Sequence, residues 1–305
     1  MFLSRASAFF NYIIERENIR LRKEADTSIG FDENKWTFDP ILSMYKFTNV
    51  RRHHDKTSSK LRESFYSKIQ SDDKKTILMN CATFRYFGTW EFAEAVGWQT
   101  FDAYDFELVK SVAKERFAEN LRVFTGAYVI TNQGISEPKE EVVVDYFLRA
   151  LHEKAGRLVD IASKTQSWRL TAEEMMKING FGGTGFMTKE ILLDTTYCPF
   201  WAVTDETPDG RFTFPKDWWD WTPIGPGALR GAARILDELA DISKKMSNSK
   251  AMSILMTLFE EQSNYLPDGF PYLSPTDIQF SLCEFDKYER VRLGQGKPRS
   301  RYFPK

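Results

Sequence analysis

The sequence predicts an all-α protein, and three observations carry that prediction. Apolar residues recur at helical spacing through most of the 305 residues. Capping residues and prolines stand where helix starts want them. Strand signals are confined to two short segments, 122–131 and 209–214. No internal repeat or low-complexity linker divides the chain. It reads as one helical domain over 1–305, in one or two lobes, with a helical extension at 1–38 and a core at 39–303.

The elements follow in order. Residues 4–24 place apolar side chains on one helical face and charges on the other. Asp39-Pro40 opens a second helix that runs into Tyr45–Asn49, and a basic loop, Val50–Lys56, leads to a helix near 58–71. Helical patterns then cover 74–87, 89–96, 105–118 and 139–163. Thr171-Ala172-Glu173-Glu174 has the form of a capping box and predicts a short helix from that point. A further helix is expected from Pro226 to about Lys245. Ser274-Pro275-Thr276-Asp277 supplies a cap, a first-turn proline and an acid, and predicts a last helix carrying Ile278 to about Val291.

Composition sets limits on function. A net charge of −1 gives no global attraction to nucleic acid, so any such surface is a local patch. Cys81, Cys198 and Cys283 are far apart and form no CxxC pair, which supports neither a disulfide framework nor a zinc site. No apolar run reaches membrane-spanning length and charges arrive early, so a cytoplasmic setting is expected. Aromatic residues make up 15% of the chain; most belong to a core, but Trp219 and Trp221 in Trp218-Trp219-Asp220-Trp221 are candidates for stacking on bases.

Four segments could carry chemistry. In Ile178–Phe186 the glycines Gly180, Gly182, Gly183 and Gly185, with Thr184, lie between two helix-like stretches. Such a turn allows positive φ and leaves the unpaired N–H groups of a new helix facing outward, a seat for backbone phosphate. This is the form of a helix-hairpin-helix element; the other reading is a turn with no ligand. Gly225-Pro226-Gly227 opens a helix with Arg230 in its first turns, where donors and guanidinium could meet an anion, or where Gly231 lets two helices touch. On the last helix Glu284, Lys287 and Tyr288 fall on neighbouring positions, as do Asp286, Glu289 and Arg290, and Lys297, Arg299 and Arg301 form a basic tail. The loop Asn49, Arg51, Arg52, His53, His54, Asp55 could position a charged substrate. No HExxH, nucleophile elbow, dinucleotide fingerprint or P-loop is present.

Taken in order, Phe47–Arg52, Phe84–Phe87, Phe124–Tyr128, the glycine-rich turn, Gly225–Gly231 and Leu282–Arg290 resemble the phage thymine-hypermodification proteins. The likeness is to the α-glutamyl/putrescinyl thymine pyrophosphorylases and to the helical domain associated with 5-hydroxymethyluracil DNA kinase, over roughly 40–303. The resemblance implies a body akin to the helix-hairpin-helix DNA glycosylases. It also implies a transferase that replaces the (pyro)phosphate on phosphorylated 5-hydroxymethyluracil in DNA with an amino acid or polyamine, after a DNA kinase has acted. In that scheme Asp194, Asp55 or Asp286 would deprotonate the incoming ammonium, with Lys287 beside Asp286 as a further catalytic candidate. Asn49, Arg51, Arg52, Arg230 and the glycines would hold phosphate, helped by Mg²⁺, and Tyr128 would join the tryptophans at the flipped base. The Val50–Asp55 loop departs from the family pattern, where a more tyrosine- and leucine-rich segment is expected. A glycosylase-like base-excision enzyme and a non-catalytic DNA-binding module are the alternatives.

Overall fold

The computed structural model describes residues 3–25, 36–69, 73–207, 210–241 and 246–298. In chain order the helices are α1 (Ala6–Ala25), α2 (Pro40–Met44), α3 (Lys56–Ser64), α4 (Lys74–Phe87), α5 (Trp90–Val96) and α6 (Phe106–Ala118). There follow α7 (Lys139–Glu141), a π-helical segment Val142–Leu148, α8 (Arg149–Thr165), α9 (Trp168–Met175) and α10 (Phe186–Thr195). The strands β1 (Val203–Thr207) and β2 (Gly210–Phe214) form one antiparallel pair, and α11 (Pro226–Leu236), α12 (Asn248–Glu261) and α13 (Pro275–Arg292) complete the chain. The backbone divides into two compact units, one from 1–55 with 219–305 and one from 56–218.

The first unit is built on α13. Its start is fixed as expected: Ser274 accepts from Asp277 N, and Asp277 accepts from Ser274 N, a complete capping box. Phe9, Phe10 and Ile13 of α1, Leu255 and Leu258 of α12, and Ile278, Leu282 and Phe285 of α13 share one core. Each such side chain contributes on the order of 1.5–3 kcal/mol by leaving water. Helix α1 thus supplies part of that core. Along α11 and α13 the approach is close at Gly231, where a methyl group would stand 2.1 Å from the Leu282 carbonyl oxygen.

The second unit surrounds α4, which is buried on every side from Thr76 to Phe87, as a helix with little polar face must be. Asp73 caps its start and Gly88 ends it in the left-handed region. Phe87 stacks on Phe92 of α5 at 3.8 Å, and Trp168 meets Trp218 edge-on at 5.0 Å. In the π segment three consecutive valines, Val142, Val143 and Val144, are all buried.

Four expectations need correction. The helix before the glycine-rich turn starts at Trp168, not at Thr171: Ser167 caps it, and Thr171 lies inside it with its hydroxyl donated to the Ser167 carbonyl. Ser167 lacks the Glu or Gln three residues on that makes a capping box legible, whereas Thr171 has one. Asp217 completes this start by accepting from Trp168 N at 2.6 Å and Ser167 Oγ at 2.7 Å. No strand forms among the described residues of 122–131, where Val123 and Ile130 are buried singly within loops. The helix from Pro226 stops at Leu236, because Asp237 turns extended; residues 242–245 lie outside the described residues. Finally, the helix near 58–71 starts at Lys56 and ends at Ser64, and a 3-10 turn, Tyr66–Lys68, follows.

Candidate functional site

The glycine-rich turn joins α9 to α10. At Gly180, φ is +93° and a Cβ would collide with the Phe147 ring, so no other residue fits there without rearrangement. Phe147 arrives from the π segment, and the Tyr86 hydroxyl of α4 donates to the Gly180 carbonyl. The Gly185 N–H donates to Gly182 O at 3.3 Å, and Gly185 then leads into α10; Gly183 and Thr184 are exposed at the turn. Thr188 donates to the Phe181 carbonyl at 2.8 Å, tying the first turn of α10 back to the connector.

Asp194, on the last turn of α10, is completely buried. Its carboxylate receives Arg85 Nε at 2.6 Å and Arg85 Nη2 at 2.5 Å, a two-pronged pair. Tyr66 donates its hydroxyl to Oδ2 at 3.0 Å. Arg85 Nη2 also reaches Ser58 Oγ at 2.9 Å, and the Arg85 carbonyl accepts from the Tyr128 hydroxyl. Burial pushes the Asp194 carboxyl above its ordinary value, against the opposing pull of Arg85 and Tyr66. Burial and the Asp194 charge together push the Tyr66 phenol well up, so it stays a donor. One turn earlier Lys189 and Glu190 are also buried, with Nζ 3.6 Å from the carboxylate. The second unit thus brings a carboxylate, a guanidinium and a phenol together at the end of α10 opposite the connector.

In the first unit, the loop from Asn49 to Asp55 is knit to itself and to α1. Asp55 accepts from Asn49 N at 2.9 Å and pairs with Arg52, while the Asn49 amide donates to His54 O at 2.8 Å. Arg16 reaches Asn49 Oδ1 at 2.9 Å, Arg51 pairs with Glu17 at 3.3 Å, and Arg52 lies over the Phe280 ring. Burial pushes the Asp55 carboxyl upward, opposed by Arg52. Asp286 is buried between Arg230, Arg234 and Arg290, and Lys287 donates to the Lys46 carbonyl while pairing with Glu284. Gly225 caps α11, and Gly227 lies against Cys283, so the start of that helix faces α13.

Trp219 is 42% exposed and packs on Phe259 and Tyr272, whereas Trp221 is half-buried. Tyr128 is half-buried against Phe186. Lys297 is exposed, and Arg299 and Arg301 lie outside the described residues. Among the described residues, no group of three or more His, Cys, Asp or Glu side chains is placed to hold a metal ion. Nor is any helix long and apolar enough to cross a membrane.

Comparison with known proteins places this architecture. Residues 4–297 match the family described as "5-hmdU DNA kinase, helical domain". The chain belongs to this family. The match takes in α1 as well as residues 40–297. A 5-hmdU DNA kinase from Bacillus phage SP10 is 26% identical over 301 residues, covering 92% of this chain and 44% of that relative. The chain therefore spans less than half the length of the relative. No solved structure matches.

Within this helical domain, sequence reasoning singled out Asp194 but not its partners. Arg85 stood in view inside Phe84–Phe87 without a role, and Tyr66 had none. The available signal was an arginine among the aromatics of the last turn of a largely apolar helix, which implies a buried counter-charge. What no pattern supplied was the pairing across 109 positions of sequence.

Proposed function

We propose that this chain acts in thymine hypermodification, on DNA carrying phosphorylated 5-hydroxymethyluracil. In this reading it replaces the (pyro)phosphate on the exocyclic carbon with an amine from an amino acid or polyamine. Membership of the helical-domain family, the substrate named in its phage relative, and the lack of a P-loop motif in the sequence support it. The observation that carries it furthest is the buried Asp194–Arg85–Tyr66 constellation on the helix that the glycine-rich connector opens.

The chemistry balances as a substitution. The amine nitrogen forms a bond to the exocyclic carbon, the carbon–oxygen bond breaks, and the electron pair leaves with (pyro)phosphate. The proton shed by the incoming ammonium goes to Asp194, which burial makes a stronger base than an exposed carboxylate. Because Asp194 is fully buried, the amine reaches it only after Tyr66 gives up its 3.0 Å hydrogen bond. The α9–connector–α10 segment is proposed to act as a helix-hairpin-helix grip on backbone phosphates, with the target base flipped out. Trp219 offers exposed indole surface for stacking, and Mg²⁺ would assist departure of (pyro)phosphate.

Nucleoside mass spectrometry tests this directly, with DNA bearing phosphorylated 5-hydroxymethyluracil incubated with the protein and pooled amines. A nucleoside heavier by one amine is expected. Asp194→Asn is expected to abolish it while DNA binding persists; full turnover in that variant removes Asp194 from the mechanism. Free base with an abasic site would instead establish base excision. A second reading rests on the relative being named a kinase of which this chain spans 44%. There the helical body only holds DNA, and the modified nucleoside emerges unchanged with every amine.

A further inference from the structure

The Asp286 cluster of the first unit holds more positive charge than its carboxylate requires. Asp286 Oδ1 accepts from Arg234 Nε at 2.9 Å, and Oδ2 accepts from Arg230 Nε at 2.8 Å. Arg290 Nε stands 3.5 Å from that same Oδ2, in ion-pair contact without a hydrogen bond. Arg234 alone would neutralise the acid: it is fully buried and its remaining nitrogens are satisfied by the Glu238 carbonyl and Gln295 Oε1. Three guanidinium groups on one carboxylate leave a local surplus of two positive charges.

Arg230 and Arg290 are the surplus pair. Each side chain is 34% exposed, and each is engaged by Asp286 through Nε. Among the described residues no acceptor meets the terminal Nη groups of either. Two like charges held this close repel each other, and an anion between or across them removes the repulsion. Arg230, hydrogen-bonded to Asp286 through Nε, presents its outer edge in a set orientation, and Arg290 adds a second guanidinium beside the same carboxylate oxygen; a phosphate has oxygens for both. We propose that Arg230 and Arg290, held by Asp286, form a clamp for a phosphate oxyanion. Asp286 is then a positioning residue, not a base. The proposal deepens the nucleic-acid part of the function proposed above, but it does not depend on amine transfer.

The phosphate could belong to a DNA backbone or to a free pyrophosphate, and the experiment separates these. Full-length wild type and the double variant Arg230→Gln/Arg290→Gln are titrated with unmodified duplex DNA across a salt series, and separately with inorganic pyrophosphate by calorimetry. With a backbone phosphate, the double variant binds DNA on the order of tenfold or more weakly. Its log K against log salt slope falls by about 1 for each arginine removed. With a free anion, DNA binding holds and pyrophosphate binding is lost. Phenylglyoxal footprinting of the wild type needs no variant: the bound probe should protect Arg230 and Arg290. Wild type that binds neither probe, a folded double variant that binds both normally, or unprotected arginines overturns the clamp. Because unmodified DNA undergoes no turnover here, the clamp and the transferase reading can fail independently.

Discussion

Arg85 and Asp194 show how a single pair can govern a unit. Both are buried, and each satisfies a charge that water would otherwise hydrate. Arg85→Met should therefore cost about 3–5 kcal/mol, because it strands the carboxylate. Tyr66→Phe should cost only about 1 kcal/mol, the worth of one hydrogen bond. Urea denaturation measures both, and equal losses would show that the phenol matters as much as the guanidinium. Glu289 supplies a pH test. Burial works to raise its carboxyl, but hydrogen bonds from Arg292 and Arg5 outweigh it and hold the group below its ordinary 4.5. A lowered folded value stabilises above pH 4.5 and is lost as pH falls through it. The stability gap between wild type and Glu289→Gln, read as the urea midpoint, should shrink between pH 6 and strongly acid solution; a constant gap would sink the assignment. At this scale the sequence was partly legible: the family resemblance of the glycine-rich turn drew notice to Asp194. Its partners were not, because ion pairing at long range leaves no periodic trace.

Among the elements, some capped helices were readable and others were not. Ser274–Asp277 and Asp105 mark their helices chemically, and α13 and α6 form where those residues stand. By contrast α12 went unread, although Ser247 caps it and Ile254, Leu255 and Leu258 are buried at helical spacing. Strand β1, Val-Thr-Asp-Glu-Thr, has too little apolar alternation to signal itself, and acquires its state by pairing Val203 with Phe214. Close approach is equally silent until the partner is known. Gly231→Ala would place a methyl 2.1 Å from the Leu282 carbonyl oxygen, forcing α11 from α13. The expected cost is about 3 kcal/mol, since backbone cannot step aside as a side chain can. A thermal melt like that of wild type would contradict that approach.

For the whole molecule, the two units make a separable prediction. Hydrogen exchange should report Arg85→Met as faster exchange in α4 and α10, and Gly231→Ala as faster exchange in α11 and α13. Identical exchange maps for the two variants would show a single cooperative body. The division also orders events on the ribosome. The 56–218 unit is one continuous stretch, whereas the other joins 1–55 to 219–305. Arg5 and its partner Glu289 are 284 positions apart. At about 5–20 residues per second, α1 emerges on the order of tens of seconds before α12 and α13 exist to cover Phe9, Phe10 and Ile13. Through that interval the nascent chain trails an uncovered aromatic stripe. Its yield in a cell therefore depends on how quickly the intervening residues are translated, or on what shields α1 meanwhile.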